Sequence, residues 1–209
     1  MSGPVRGIRG APGAVLVIVS GPSGVGKDTV IEALRRRYPE HRYDYVVTST
    51  TRPRRDYEVD GIHYRFLTTA RFLRLRAGGE FLEANEVHGH WYGTPRSAVR
   101  RSLRAGRDVI LKIDVQGAAV VKRAVPDALL VFLVPPSLED LFSRLRSRAT
   151  ETADELDVRQ RNAAVELARQ EDYDQVVVNA TGRVDATAAR IEAIIDAEKL
   201  AHPDRRTRV

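Results

Sequence analysis

The sequence predicts an α/β fold in which a parallel β-sheet forms the core, and two observations support this prediction. Four short apolar runs typical of buried strands recur along the 209 residues, at positions 14–19, 108–113, 128–134 and 175–179. Stretches of helical character separate these runs, which is the order expected when crossover helices join parallel strands. With 43% hydrophobic residues, the chain is long enough to bury one large core.

The helices are expected between these strands and after the last one. One helix begins near Thr29, behind a glycine-rich loop, and another is capped by Thr94, started by Pro95 and ends near Gly106. A third lies between the second and third strands. The last helix, at about residues 184–200, carries apolar residues near helical spacing and is expected to pack on the sheet.

Two segments interrupt this alternation and are interpreted as additions to the core. Residues 47–94 mix short β-prone pieces with one helical stretch near residues 70–77, which indicates a small inserted subdomain. Residues 137–171 form a long helical pattern, rich in charge and poor in large apolar side chains, that is typical of an exposed lid. The remainder is assigned to the core, at residues 1–46, 95–136 and 172–209.

The net charge of +6, from 34 lysines and arginines against 28 acids, favours an anionic ligand without identifying one. A nucleotide site, a nucleic-acid patch and a solvated surface with a basic tail at residues 202–209 all remain open. The absence of cysteine excludes disulfides and thiolate sites, and no apolar run reaches the roughly 18 residues of a membrane-spanning helix. A cytoplasmic location is therefore expected, with about the first dozen residues as a loose leader.

A glycine-rich loop, GPSGVGK, joins the first predicted strand to the helix behind it. Such a loop places backbone N–H groups at a helix N-terminus, where unpaired donors and the helix dipole favour phosphate. The order of strand, loop and helix predicts a P-loop NTPase-type three-layer sandwich, in which the loop lysine bridges the terminal phosphates of a nucleotide. The predicted contacts are Gly21, Pro22, Ser23, Gly24, Val25, Gly26, Lys27, Asp28 and Thr29.

Asp28 occupies the position where a P-loop normally carries a serine or threonine hydroxyl that ligates Mg²⁺. A carboxylate there repels phosphate unless a cation lies between them. Three interpretations are open: Asp28 ligates Mg²⁺ itself, Thr29 does so through water, or Asp28 only favours the first helical turn through the dipole. Under the third interpretation, Asp28→Ala costs stability and little activity.

A second basic segment holds Arg52, Arg54 and Arg55 close together, beside two tyrosines. Three guanidinium groups at this spacing repel one another, so either an anion lies between them or the segment is a solvated charged loop. With an anion, the chain would hold two phosphorylated ligands end to end, which is the geometry of phosphoryl transfer.

These residues carry a resemblance to a known family. The stretch from Thr48 to Phe66, and after it EFLE, YGT, KIDVQG and RATETA, resemble in order the motifs of guanylate kinase, the ATP-dependent GMP kinase of the nucleoside-monophosphate kinase group. The resemblance covers roughly residues 14–180 and implies the reaction ATP + GMP ⇌ ADP + GDP, with Mg²⁺ as cofactor. It makes residues 47–94 a GMP-binding subdomain and leaves the use of dGMP open, with no membrane or specific nucleic acid as partner.

The resemblance also implies a role for each matching residue. Glu83, Thr94 and Asp114 would bind guanine, which offers N–H donors that adenine lacks. Taken singly, these three residues and Tyr92 also fit structural roles. Glu83 could be a surface acid, Thr94 a helix cap, Asp114 a buried acid and Tyr92 a core aromatic residue. The GMP phosphate would be held by Thr48, Arg52, Arg55, Tyr64 and Tyr92. Catalysis would use Lys27, Arg52, Arg144, Arg148 and Arg159, with Asn179 near the adenine of ATP.

Four positions depart from the family pattern. Asp28 replaces the loop hydroxyl, Lys112 replaces an acid, Arg54 stands at a proline and Tyr57 at a glycine. Lys112 would either neutralise phosphate charge or pair with Asp28, and this pairing is a hypothesis.

Three other functions stay open. Asp28 favours ribose 1,5-bisphosphate phosphokinase, whose loop also carries Gly-Lys-Asp, although a sugar phosphate requires no guanine-binding residues. A non-catalytic guanylate-kinase-like binding module conflicts with the presence of Lys27 and of the lid arginines. A nucleic-acid binder agrees with the basic charge, but the sequence lacks a basic stripe interleaved with stacking aromatics.

Overall fold

The computed structural model describes residues 13–37, 42–87, 89–146 and 153–209, with the backbone alone for residues 153–159. The strands in these ranges are β1 Leu16–Ser20, β2 Tyr43–Tyr45, β3 Ser49–Thr50, β4 Arg65–Phe66, β5 Phe81–Val87, β6 His90–Pro95, β7 Asp108–Lys112, β8 Leu129–Val134 and β9 Gln175–Val178. The helices are α1 Lys27–Arg37, α2 Thr69–Ala77, α3 Arg96–Arg104, α4 Val115–Ala124, α5 Leu138–Arg146, α6 Ala153–Leu167 and α7 Val184–Ala201, and a 3₁₀ helix at Ala168–Asp172 follows α6.

The predicted α/β fold is confirmed by a five-stranded sheet with the order β2-β7-β1-β8-β9, in which every neighbouring pair is parallel. Because the strands run the same way, their carboxyl ends meet at one edge of the sheet. In the register, Val19 of β1 lies between Lys112 of β7 and Val131 of β8. The loops after these strands therefore gather at one edge, which is where open α/β sheets bind ligands.

Helices cover both faces of this sheet, because successive side chains of a strand point to opposite faces. Val17 and Val19 of β1 pack with α1 and α7 on one face, whereas Leu16 and Ile18 pack with α3 and α4 on the other. All five residues of β1 are buried, which explains why its first four residues are continuously apolar and do not alternate with polar ones. The result is the predicted three-layer sandwich.

A second sheet, with the order β4-β3-β6-β5, lies in the segment that the sequence indicated as an insertion. Strands β5 and β6 form an antiparallel hairpin whose register pairs Glu83 with Thr94. Helix α2 packs on this hairpin through Phe72, whose ring stacks on Phe81 with centroids 4.5 Å apart. Gly93 allows this contact, because a Cβ there would come within 2.9 Å of the Phe72 ring.

The helices predicted near residues 70–77 and 184–200 are confirmed as α2 and α7. The prediction that Thr94 caps the following helix was wrong. The N-cap of α3 is Pro95, which makes no side-chain cap bond, and the Thr94 hydroxyl donates to Glu83 instead. Within the described ranges, no helix is both long and apolar enough to cross a membrane.

The tail at residues 202–209 is anchored at two positions, although Arg206 and Arg208 are exposed. Thr207 and Val209 are buried, and the Thr207 hydroxyl donates to the carbonyl of Ala14 at 3.1 Å. Arg100 of α3 donates to the Val209 carbonyl at 2.8 Å. The tail therefore packs against the amino end of β1, on the side of the sheet away from the glycine-rich loop.

Candidate active site

The glycine-rich loop between β1 and α1 depends on three glycines with positive φ, namely Gly21, Gly24 and Gly26. All three also leave no room for a side chain. A Cβ on Gly21 would lie 2.4 Å from the Leu133 carbonyl oxygen, and one on Gly26 would lie 2.6 Å from the Asn179 amide nitrogen. Helix α1 begins at the end of this loop, and the N–H groups of a helix's first turn favour an anion at that end.

The polar groups of the loop bond within the protein. Lys27 Nζ donates to the carbonyls of Gly21 and Pro22, at 2.6 and 3.1 Å. The backbone N–H of Ser23 donates to a carboxylate oxygen of Glu166 in α6, at 2.8 Å. Burial lowers the pKa of Lys27 from its ordinary value, although the negative charges of Glu166 and other nearby acids act in the opposite direction. Glu166 thus supplies negative charge to a backbone donor of the glycine-rich loop.

Two predicted site residues brace the loop. The side-chain amide of Asn179 donates to the Val25 carbonyl at 2.8 Å, and its oxygen accepts a bond from Thr187 at 3.1 Å. The Arg144 guanidinium donates to the same Val25 carbonyl at 3.1 Å and to the Asn179 carbonyl at 2.9 Å. Both side chains stabilise the shape of the loop here, and their contacts with adenine and with the transferred phosphoryl group stay predictions.

Asp28 forms an ion pair with Lys112 at the end of β7, which confirms the hypothesised pairing. Lys112 Nζ also lies 4.9 Å from the centroid of the Tyr64 ring. Burial by itself would lower the pKa of Lys112, but interactions with Tyr64 and Asp28 outweigh it and raise the pKa above its ordinary value. The side chain therefore remains an ammonium ion, and it connects the glycine-rich loop to the second sheet.

A buried carboxylate holds the arginine-rich segment together. Glu58, which is 3% exposed, accepts a bond from the Arg52 guanidinium at 2.6 Å and one from the backbone N–H of Arg55 at 2.8 Å. Arg54 donates to the Glu58 carbonyl, and the Arg55 side chain donates to the Tyr57 hydroxyl. Burial by itself would raise the pKa of Glu58, but the bonds from Arg52 and Arg55 outweigh it and lower the pKa. Glu58 therefore supplies part of the negative charge that these guanidinium groups require.

Two tyrosines flank Arg52. The rings of Tyr64 and Tyr92 meet edge to face with centroids 6.0 Å apart, and the Arg52 guanidinium carbon lies 5.5 Å from the Tyr64 centroid. Burial raises the pKa of Tyr64, so its hydroxyl keeps its proton near neutral pH. Thr48 is buried just before β3. Hydroxyl and guanidinium donors side by side suit the oxygens of a phosphate.

A second buried carboxylate lies in the β5–β6 hairpin. Glu83, 3% exposed, accepts bonds from the Thr94 hydroxyl at 2.6 Å and from the Asn85 amide at 2.8 Å. Gly117 of α4 lies against it, because a Cβ there would be 3.2 Å from Glu83 Oε2. Asp114, the N-cap of α4, accepts a bond from the Gly117 N–H at 2.9 Å, so both carboxylates lie at the start of the same helix.

Burial raises the pKa of Glu83 from an ordinary 4.5 to about 7, and the charge of Asp114 adds to this rise while the bond from Thr94 opposes it. This carboxyl group therefore changes charge near neutral pH. A ligand that offers N–H donors to it would favour the ionised form. Glu83 is thus not a surface acid, and Asp114 is not the buried acid of its structural interpretation but a half-buried helix cap.

The residues fit a magnesium ion held mainly by the phosphates of a nucleotide. Mg²⁺ commonly uses one or two carboxylates together with phosphate oxygens and water, and Asp28 supplies one carboxylate at the end of the loop. Thr29 lies exposed beside it. Among the described residues, no three or more histidines, cysteines or acids gather as a metal cluster.

Sequence reasoning missed the roles of three residues. Asn85 could have been found, because a residue two positions after Glu83 lies on the same face of a strand. Glu58 was recognised only as part of a motif, and nothing in the sequence distinguished Glu166 from the other charges of α6. The structure brings the other predicted residues to two neighbouring places, the loop and the second sheet, but Arg148 and the side chain of Arg159 lie outside the described residues.

Comparisons with known proteins agree with this geometry. A family model described as "Guanylate kinase" matches residues 14–198. The chain is 42% identical over 192 residues to a guanylate kinase of Chelativorans sp. (strain BNC1), covering 91% of this chain and 86% of that protein. It is 45% identical over 184 residues to a guanylate kinase of Streptococcus agalactiae, covering 88% and 87%. The crystal structure of guanylate kinase from Anaplasma phagocytophilum superposes with a TM-score of 0.74 at 32% identity, covering 92% of this chain and 89% of that chain.

Proposed function

The chain belongs to the guanylate kinase family, and from that premise we propose that it transfers the γ-phosphoryl group of ATP to the phosphate of GMP. The observation that carries the proposal is the buried pair of Glu83 and Thr94, which lies at the start of α4 beside Asp114. In this proposal residues 47–94 form the GMP-binding subdomain, residues 137–171 form a lid, and the rest of the chain forms the core.

The pair explains how guanine is selected. Guanine presents its N1–H and N2–H₂ donors beside the O6 acceptor, so an ionised Glu83 accepts from the base while the Thr94 hydroxyl lies next to it. Adenine lacks both donors and would leave the buried carboxylate without partners, which is the kind of mismatch that binding sites reject strongly. Asp114 accepts from the remaining N–H of guanine, with the oxygen that the helix cap leaves available.

Phosphoryl transfer in this site needs charge neutralisation and alignment. The GMP phosphate binds beside Arg52, Tyr64 and Tyr92, and the ATP phosphates bind in the loop with Lys27, so donor and acceptor meet where the two sheets adjoin. Lys27 would exchange its present partners, the carbonyls of Gly21 and Pro22, for phosphate oxygens. A general base is not required, because the attacking phosphate oxygen is already anionic.

Magnesium belongs to this proposal as the cofactor. Asp28 would hold it, with Thr29 contributing through water, and the bound ion would neutralise the developing negative charge on the β- and γ-phosphates. Arg144, Arg148 and Arg159 act on the same phosphates from the lid. A cytoplasmic location and the use of dGMP stay predictions.

Ribose 1,5-bisphosphate phosphokinase activity is the second candidate, favoured by the Asp28 carboxylate in the loop. The experiment measures ADP release in a coupled assay with ATP and Mg²⁺, and offers GMP, dGMP, AMP and ribose 1,5-bisphosphate in parallel. We expect strong preference for GMP. Turnover with ribose 1,5-bisphosphate alone would move the function to the second candidate, and turnover with none of them would favour a non-catalytic binding module.

A further inference from the structure

Lys112 lies at the junction of the two predicted nucleotide sites. It ends β7, and its register partner Val19 lies one residue before the end of β1, so the Lys112 side chain emerges beside the glycine-rich loop. Its position in the fold is set by a central strand of the sheet. The strand therefore fixes the ammonium group between the two predicted phosphate sites.

The contacts of Lys112 extend to both sites. On the donor side it pairs with Asp28 in the first turn of α1. On the acceptor side its Nζ lies 4.9 Å from the centroid of Tyr64, and the Arg52 guanidinium lies 5.5 Å from the same ring. Tyr64 therefore has cations from two different elements next to it. An anion bound beside the Tyr64 hydroxyl would be within the field of both.

The exposure of the pair indicates which partner is fixed. The Lys112 side chain is 22% exposed, whereas that of Asp28 is 74% exposed. An ion pair with so exposed a carboxylate contributes little free energy, so little is lost when the ammonium group forms a further bond. An ammonium group also has three N–H donors. Lys112 can keep Asp28 on one donor and offer another to a phosphate.

We propose that Lys112 is a further ligand of the acceptor phosphate, held in position for it by Asp28. The inference rests on the proposed function, since it takes the acceptor to be GMP. It assigns this chain an additional positive charge at the acceptor site, at a position where the family pattern has an acid. Asp28 then acts on GMP only as a positioning residue, through Lys112.

Binding of GMP tests this without turnover. Calorimetric titration of GMP, in EDTA and without ATP, would compare the wild type with Lys112→Met, Asp28→Asn and the double variant. Lys112→Met should weaken GMP binding about tenfold or more, the effect of losing a hydrogen bond between charged groups. The decisive comparison is Lys112→Met in the Asp28→Asn background. A smaller but clear loss should persist there, because the repulsion from an unpaired Asp28 is absent while the direct contact of Lys112 with the phosphate is still removed, and the reduction measures how far Asp28 positions Lys112.

Four controls make the result specific. Lys112→Arg keeps the charge and should restore most of the affinity. Lys122→Met removes a lysine of α4 that pairs with Asp174, and it should leave GMP binding unchanged. Guanosine, which carries no phosphate, should bind all variants alike, and thermal unfolding should verify that each variant is folded.

The outcomes separate this inference from the proposed function. If the wild type binds GMP but Lys112→Met has no effect in the Asp28→Asn background, Lys112 only neutralises Asp28 and the inference is overturned. An equal loss of guanosine affinity would also overturn it, because the effect would then come from the base pocket. Absence of GMP binding by the wild type would refute the proposed function and the inference with it.

Discussion

Replacing Glu83 by glutamine should weaken GMP binding and stabilise the fold at the same time. The substitution keeps the size of the side chain and an oxygen that can accept from Thr94. It removes the negative charge and directs an amide N–H₂ toward the N–H donors of guanine. Loss of charge-assisted bonds worth about 1.5 to 3 kcal/mol each should lower kcat/KM for GMP roughly a hundredfold.

The gain in stability follows from the raised pKa of Glu83. Between an ordinary 4.5 and about 7, the folded protein binds a proton that the unfolded chain has released, so the free energy of unfolding falls as pH rises through this window. Above pH 7 the ionised carboxylate costs the wild type about 3 kcal/mol, at about 1.4 kcal/mol per pKa unit. Glu83→Gln lacks this cost.

Urea unfolding at pH 5 and pH 8 measures the effect. The advantage of Glu83→Gln over the wild type should grow by about 2 to 3 kcal/mol between these two pH values, since the linkage is confined to one group. The matched control is Glu86→Gln, which changes an exposed acid of the same strand and should alter neither property. A Glu83→Gln variant that loses stability at pH 8, or that keeps the wild-type kcat/KM for GMP, would refute the reasoning.

Three further predictions concern the loop. Glu166→Gln should tighten ATP binding by about three- to tenfold, because a neutral acceptor competes less with phosphate for the Ser23 N–H; a titration showing unchanged or weaker binding would contradict this. Gly26→Ala should destabilise the protein by about 1 to 3 kcal/mol and lower ATP affinity, because φ is +96° and the new Cβ meets the Asn179 amide; thermal unfolding and ATP titration measure both. Asp28→Ala should raise the Mg²⁺ concentration needed for half-maximal activity if Asp28 holds the ion, whereas an unchanged requirement with a lower Tm would leave Asp28 a structural role only, in the ion pair with Lys112 and at the helix dipole.

The sequence predicted the sheet well because continuous apolar runs have few alternatives to burial between helices. It also identified the glycine-rich loop, since positive φ and close approach both demand glycine there. Its error at Thr94 has a physical cause: a threonine before Pro95 resembles an N-cap, and only the pairing of β5 with β6 shows that its hydroxyl has a buried carboxylate as partner.

The interactions that could not be predicted from the sequence join residues far apart in the chain. The contact between Ser23 and Glu166 spans 143 positions, and no local pattern encodes it. The pairing of Asp28 with Lys112, 84 positions apart, became a hypothesis only because both residues depart from a family pattern. The indication was that both residues differ from the family pattern and that their charges are opposite. The parallel register of β1 and β7 explains why the two positions meet.

The Asp28–Lys112 ion pair also constrains how such a site can evolve. The family pattern has a hydroxyl at the first position and an acid at the second, so two substitutions separate it from this chain. If Asp28 arises first, two carboxylates face each other beside the phosphates, where like charges repel. If Lys112 arises first, a serine and a lysine share the site, and the lysine suits the phosphates without a carboxylate. The tolerated intermediate between the two arrangements is therefore the one with serine at the first position and lysine at the second, whichever arrangement is ancestral.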